Sequence, residues 1–283
     1  MKRVLSAIAL SACLTLSVQA QTETTTKAET TQTKQQSGTV INLAGKQRML
    51  TQKMSKEALF IAKGIDAKAN TESLKKTAEL FDKTLKGLVA GDESLKLPKT
   101  TNKEILAQLE TVSKLWATFK PNIDKVADGK SDKATLEAIA KENLPLLKNM
   151  NKAVQMYAKA SGSKLDPEMA KTINLAGKQR MLTQKMTKEL LLVANGIDAK
   201  ANAENCKKTG ELFESTLKDL TDKCKNDEIK KQLEVVAKLW GDYKAIIEKA
   251  DTAEASLKKA EELNIPLLKN MNKAVKMYEA SIK

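Results

Sequence analysis

Residues 41–54 read Ile-Asn-Leu-Ala-Gly-Lys-Gln-Arg-Met-Leu-Thr-Gln-Lys-Met, and residues 173–186 repeat the string without a change. At the turn of about 100° per residue that a helix takes, Leu43, Gln47, Leu50, Met54 and Ile61 fall on one stripe, the core seam of a bundle helix. Ala44, Arg48, Thr51, Ser55, Ala58 and Ala62 fall on a second stripe at the four-and-three spacing of a coiled coil. In the second copy that stripe reads Ala176, Arg180, Thr183, Thr187, Leu190 and Ala194. Small residues let another backbone come close, so each arginine is expected to point into a helix seam rather than into bulk water.

The likeness between the two halves continues outward from the string. Gly64–Asn70 matches Gly196–Asn202, Leu115-Trp116 matches Leu239-Trp240, and Pro145–Val154 recurs unchanged as Pro266–Val275. The length differences fall where loops belong, which sets two homologous units at 39–161 and 162–283. Each unit reads as four helices. In the first they run from about Val40 to Lys63, ended by Gly64, then Glu72–Leu88, Lys103–Val126 and Ser131–Lys159, the last expected to kink or break at Pro145. Asp166 as N-cap with Pro167 behind it opens the second unit. With few aromatics, no strand-like alternation and abundant Ala, Leu, Lys and Glu, the fold class is all-α, as two tandem four-helix bundles. The leucines and methionines of the repeated Pro-Leu-Leu-Lys-Asn-Met-Asn block, and both Leu-Trp pairs, read as core. Asn149, Asn151, Asn270 and Asn272 are candidates for polar partners of the arginine face.

The N-terminus places Lys2 and Arg3 before an apolar run that closes on Val18-Gln19-Ala20, the pattern of a secretory signal peptide over residues 1–20. A lipobox ending at Cys13 is the alternative. Residues 21–38, rich in Thr, Gln, Lys and Glu, read as a disordered linker. No later stretch is long and apolar enough to span a bilayer, so the mature chain is expected in the periplasm. Of 49 basic residues, Lys2 and Arg3 leave with the signal; against 35 acidic residues the balance is +12. In an exported protein that excess suits small anions, acidic partners or an anionic membrane rather than nucleic acid.

There is no histidine, which removes Ser-His-Asp and Cys-His catalysis, c-type haem attachment and the di-iron ligands of helical bundles. No enzyme activity, metal or cofactor is expected. The mature cysteines, Cys206 and Cys224, lie along one predicted helix. At about 1.5 Å per residue they stand roughly 27 Å apart, beyond the limit of about 7 Å for a disulfide. Cys206 also takes the place of Leu74, which predicts a buried, hydrophobic role.

Only three arginines occur: Arg3 in the signal, and Arg48 and Arg180 in the two strings. A planar guanidinium binds a carboxylate or oxyanion through two parallel hydrogen bonds, which a lysine ammonium does not reproduce. If the two strings face each other, the arginines converge and a bound anion would relieve their repulsion, with Gly45 and Gly177 leaving room near the backbone. Otherwise each arginine pairs with a carboxylate of its own bundle and fixes helix register.

The string resembles the Asn-x-Ala-Gly-Arg-Gln-Arg-Met-Leu-Ser-Gln-Arg signature of the PilJ-type domain of type IV pilus methyl-accepting chemotaxis transducers. It is more distantly similar to the P-box of nitrate and nitrite sensor kinases of the NarX and NarQ type. The resemblance covers nearly all of residues 39–283 and implies a periplasmic helical sensor domain. In the nitrate sensors one P-box arginine from each of two subunits clamps the anion, and the matching residues here are Arg48 and Arg180. The candidate ligand set is Arg48, Arg180, Gly45, Gly177, Asn42 and Asn174, for a small oxyanion such as nitrate or nitrite or another acidic ligand. No HAMP, methyl-accepting or kinase segment is recognisable, so the expectation is a non-enzymatic binding module that works with a membrane chemoreceptor or sensor kinase. The alternative is an interaction protein whose arginine-bearing face docks a partner helix or an acidic surface.

Overall fold

Thr33 opens the first helix earlier than the spacing predicts. Its hydroxyl accepts from the Gln36 amide at 3.1 Å while the Gln36 side chain accepts from the Thr33 amide at 2.9 Å, a capping box that satisfies two donors left over at a helix start. Helix α1 therefore spans Lys34–Ala62, and residues 34–38 of the expected linker are helical. The computed structural model describes residues 33–282. The expected signal peptide, the Cys13 lipobox and residues 21–32 of the linker lie outside the described residues.

The first unit continues with α2 (Ala67–Ala90), α3 (Lys103–Ala127) and α4 (Lys133–Ala160), and the second repeats it as α5 (Pro167–Ala194), α6 (Ala199–Asp222), α7 (Asp227–Lys249) and α8 (Glu254–Ala280). No strand occurs among the described residues, so the all-α reading holds. Asp166 caps α5 as expected, its carboxylate accepting from the Met169 amide at 3.2 Å ahead of Pro167. The turn after each motif helix is also repeated: Gly64 and Gly196 adopt φ of 69°, which a side chain would disfavour. The side chains of Asn70 and Asn202 then donate to the carbonyls of Ile65 and Ile197 at 3.1 and 2.9 Å, fastening both turns.

The expected interruption at Pro145 is a milder event. Helix α4 runs through Pro145, and α8 runs through Pro266. The carbonyl deprived of its donor belongs to Lys141, an exposed residue, where solvent is at hand to replace the missing N–H, and the helix continues.

The most extensive helix pairing is between α1 and α5. Around that inner pair, α2 and α4 cover α1, α6 and α8 cover α5, and α3 and α7 complete the outside by packing on α4 and α8. The eight helices form one compact unit. This arrangement corrects the two-stripe reading of the motif helix. Every residue from Gln47 to Gln52 and from Gln179 to Gln184 is buried, because the helix has neighbours on all sides rather than on two. Trp116 and Trp240 lie in the core against Phe81 and Phe213, with ring centroids 4.5 and 5.1 Å apart. Cys206 and Cys224 are free thiols; Cys206 is buried and burial pushes its pKa up to about 12. No helix among the described residues is long and apolar enough to cross a membrane.

Candidate functional site

Packing α1 against α5 brings the two arginines together. Both are 1% exposed. A methyl group placed on Gly177 would lie 3.4 Å from Arg180 Nη2 and 3.5 Å from Arg48 Nη2. Two atoms at those distances from one point are at most 6.9 Å apart. The same holds over Gly45, at 3.4 Å from Arg48 Nη2 and 3.7 Å from Arg180 Nη2. Each guanidinium thus spans the glycine of its own helix and that of the other.

The hydrogen bonds are reciprocal. Arg48 Nη1 donates to Asn151 Oδ1 at 2.7 Å and Nη2 donates across the seam to the Asn174 carbonyl at 3.1 Å. Arg180 Nη1 donates to Asn272 Oδ1 at 2.9 Å and Nη2 to the Asn42 carbonyl at 3.1 Å. All six expected site residues therefore meet here, Asn42 and Asn174 through their carbonyls. Asn151 and Asn272 join them. Asn149 and Asn270 do not; they accept from Gln108 and Gln232 instead.

None of the ion pairs among the described residues includes either arginine, so the register-fixing carboxylate of the alternative reading is absent from both. The partners are neutral. Buried without any partner are Arg48 Nε, Arg180 Nε, and the Oδ1 atoms of Asn42 and Asn174. Burial, then the charge of Arg180, lowers Arg48 to about 9. Burial lowers Arg180 to about 10 against an opposing pull from Glu279. Both remain cations at neutral pH. Around them the field is positive as well: Lys46 is lowered by burial, then by Arg180 and Lys276, and Lys178 by burial, then by Arg48.

A second polar layer lies two turns further along the same seam, and the motif reading missed it. Lys56 and Lys188 are 4% and 2% exposed. Lys56 Nζ donates across the seam to Asn264 Oδ1 at 3.0 Å, and Lys188 Nζ donates to Asn143 Oδ1 at 3.2 Å. Each asparagine also accepts from a glutamine of its own unit, Gln184 or Gln52, both at 2.8 Å. The amide of Asn264 donates to the Thr183 carbonyl and Thr187 Oγ1 at 2.9 and 2.8 Å, and that of Asn143 to the Thr51 carbonyl and Ser55 Oγ at 2.8 and 2.9 Å. The sequence carried a signal for this layer: Asn143 and Asn264 each stand two residues before the repeated proline, just outside the unchanged block.

The family model for the type IV pili methyl-accepting chemotaxis transducer N-terminal domain, PilJ, matches residues 30–141 and 167–264. Among curated proteins, the chain is similar to the methyl-accepting chemotaxis protein McpN of Pseudomonas aeruginosa, at 29% identity over 123 residues. That stretch is 44% of this chain and 22% of McpN, so the chain spans about a fifth of its relative's length. Among solved structures it is similar to the ligand-binding domain of the P. aeruginosa nitrate receptor McpN, at 30% identity over 44% of this chain and 96% of that one, with a TM-score of 0.39.

Proposed function

The chain belongs to the PilJ family of type IV pili methyl-accepting chemotaxis transducer N-terminal domains, a family of sensor ligand-binding modules, and we propose that its ligand is a small oxyanion held between Arg48 and Arg180. The observation that carries this reading is the arginine pair itself: two buried guanidinium groups with Nη2 atoms at most 6.9 Å apart, no carboxylate between them, and both Nε donors unpartnered. Two buried like charges that face neutral groups are costly. One bound anion offsets that cost and takes up the spare donors. The sequence kinship with the nitrate receptor McpN makes nitrate and nitrite the first ligands to try. Lys46, Lys178 and Lys276 supply a positive approach that draws anions toward the seam.

In this reading both copies of the motif stand in one chain, and one chain builds a site without a second subunit. The face that the alternative reading offered to a partner helix is filled by the chain's own α5. The module is exported to the periplasm, is not an enzyme, and passes its liganded state to a membrane chemoreceptor or sensor kinase. Thermal unfolding against a panel of nitrate, nitrite, sulfate, phosphate and acetate tests the reading. At least one small oxyanion raises the melting temperature, and Arg48→Ala and Arg180→Ala each remove the rise. No rise with any anion sinks the proposal.

The glycines give a finer test. At 3.4 to 3.7 Å from the Nη2 atoms, a methyl on Gly45 or Gly177 makes ordinary contact, and an alanine within a helix gains about 0.5–1 kcal/mol over glycine. It also fills the space through which an anion meets both forks. Gly45→Ala/Gly177→Ala is expected to melt at the same or a higher temperature while losing the anion-dependent rise. Retention of the full rise would exclude the space above the glycines as the binding position.

A further inference from the structure

The arginine site is built from repeated residues, yet one of its neighbours is not repeated. Glu279 on α8 accepts from Asn42 Nδ2 at 2.5 Å and from Thr39 Oγ1 at 2.6 Å. The position matching Glu279 in the first unit is Ala158, and the position matching Thr39 in the second is Lys171. Asn174, the counterpart of Asn42, therefore has no carboxylate in the equivalent place.

This difference bears directly on how the site meets an anion. An asparagine amide offers an oxygen on one side and two N–H donors on the other. The Oδ1 atoms of Asn42 and Asn174 are both buried and unpartnered, but only the Asn42 amide is tethered, through an N–H bonded to Glu279. Freed from the carboxylate, the amide can turn its N–H groups inward. Glu279 is also the carboxylate whose charge acts on Arg180, so it partly neutralises the half of the site to which Asn42 contributes its carbonyl.

We propose that Glu279 is an internal competitor for the arginine-pair site: it holds the Asn42 amide away from an incoming oxyanion, weakens capture, and leaves the Asn174 half as the stronger one. This rests on the oxyanion reading above and adds that the affinity of the site is set from outside the motif. Glu279 is a positioning residue here, acting through Asn42.

Nitrate titration by calorimetry of the full chain and its variants tests it. Glu279→Ala is expected to tighten nitrate binding by about tenfold or more, the scale of one charge-assisted hydrogen bond. Glu279→Gln, which keeps an acceptor for Asn42 but drops the charge, tightens it less and serves if the alanine variant is poorly folded. In an Asn42→Ala background the gain from Glu279→Ala shrinks, which a general loosening of α8 would not produce. Unchanged or weaker binding in both Glu279 variants, with the parent chain binding nitrate through Arg48 and Arg180, overturns the competitor and leaves the oxyanion reading standing. Absence of binding by nitrate and by every other anion of the panel, in the parent and in both variants, overturns the two together. Binding that emerges only in Glu279→Ala, and vanishes again with Arg48→Ala, supports both.

Discussion

Asn264→Leu is expected to lower the unfolding free energy by about 3–5 kcal/mol, the usual cost of stranding a buried charge, and with it the melting temperature by roughly 10 °C or more. The substitution is close to isosteric, so the loss is one of hydrogen bonds rather than of volume. Asn264 meets four groups: it accepts from Lys56 and Gln184 and donates to Thr183 and Thr187. Thr187 retains its bond to Tyr243 at 2.7 Å. Lys56 and the Gln184 amide retain nothing comparable, and Lys56 is buried to 4% exposure. Lys56→Met behaves differently. It removes the buried charge, while Asn264 Oδ1 still accepts from Gln184 at 2.8 Å, so no hydrogen-bonding group of the layer is orphaned. Losing the ammonium relieves its desolvation cost, set against the loss of a nearby cation to buried Glu57 and Glu261, so Lys56→Met is expected to cost far less than Asn264→Leu. The double variant should recover much of what Asn264→Leu loses, and that non-additivity is read from denaturant unfolding of the four chains. Additive losses would mean that the lysine and the asparagine do not act as a pair.

The same layer gives the stability a pH dependence of definite sign. Burial lowers Lys56 from the ordinary 10.5 to about 8, opposed by Glu57 and Glu261 and assisted by Lys53. Burial lowers Lys188 to about 8 likewise, opposed by Glu189 and assisted by Lys185. Below pH 8 the folded and unfolded chains both hold these protons, and the full penalty of burying the charges is present. Between about 8 and 10.5 the folded chain has released protons that the unfolded chain keeps, so stability rises with pH. Cys206 and the buried tyrosines, all raised by burial, act in the other direction from about pH 9 upward. The clean observable is therefore a difference. The stability of Lys56→Met relative to the parent should be highest at pH 7 and fall toward pH 10, and a flat difference would mean that Lys56 keeps its ordinary pKa in the fold.

The fold was legible because it is written twice. An unchanged string, a repeated Gly-Ile-Asp turn and an Asp-Pro helix start mark helices and boundaries by local chemistry alone. The arginines were legible because guanidinium is so rare in a chain that otherwise uses lysine. Their meeting was not, since it depends on α1 choosing α5 as its main neighbour, a choice made by the sum of a long small-residue seam and not by any one residue. Lys56 and Lys188 were hidden for the opposite reason: they are two among dozens of lysines, and only burial distinguishes them. Glu279 is visible in the sequence solely as a mismatch, Ala158 against Glu279, and a mismatch has no meaning until the neighbour it touches is known.

Arg48→Lys/Arg180→Lys should keep every charge in the seam and still abolish oxyanion capture. Each guanidinium holds Asn151 or Asn272 with one nitrogen and a carbonyl of the opposite helix with the other. That plane, fixed at both ends, leaves Nε and the remaining N–H groups aimed by geometry rather than by chance. A lysine at either position carries one compact, strongly hydrated charge, and its three protons are first claimed by the same two acceptors. At a ligand concentration of about 100 times Kd the parent gains about 2.7 kcal/mol of stability from binding, which for a domain of this size is a rise of about 5–10 °C. The lysine pair should show no such rise. Because one anion needs both forks, Arg48→Lys and Arg180→Lys alone should each lose nearly as much as the pair, a strongly non-additive pattern. If instead each single variant lost half and the pair lost the sum, two anions would be binding independently. If the lysine pair bound as well as the parent, the site would be reading charge alone, and the arginines would owe their place in both strings to the asparagines they hold.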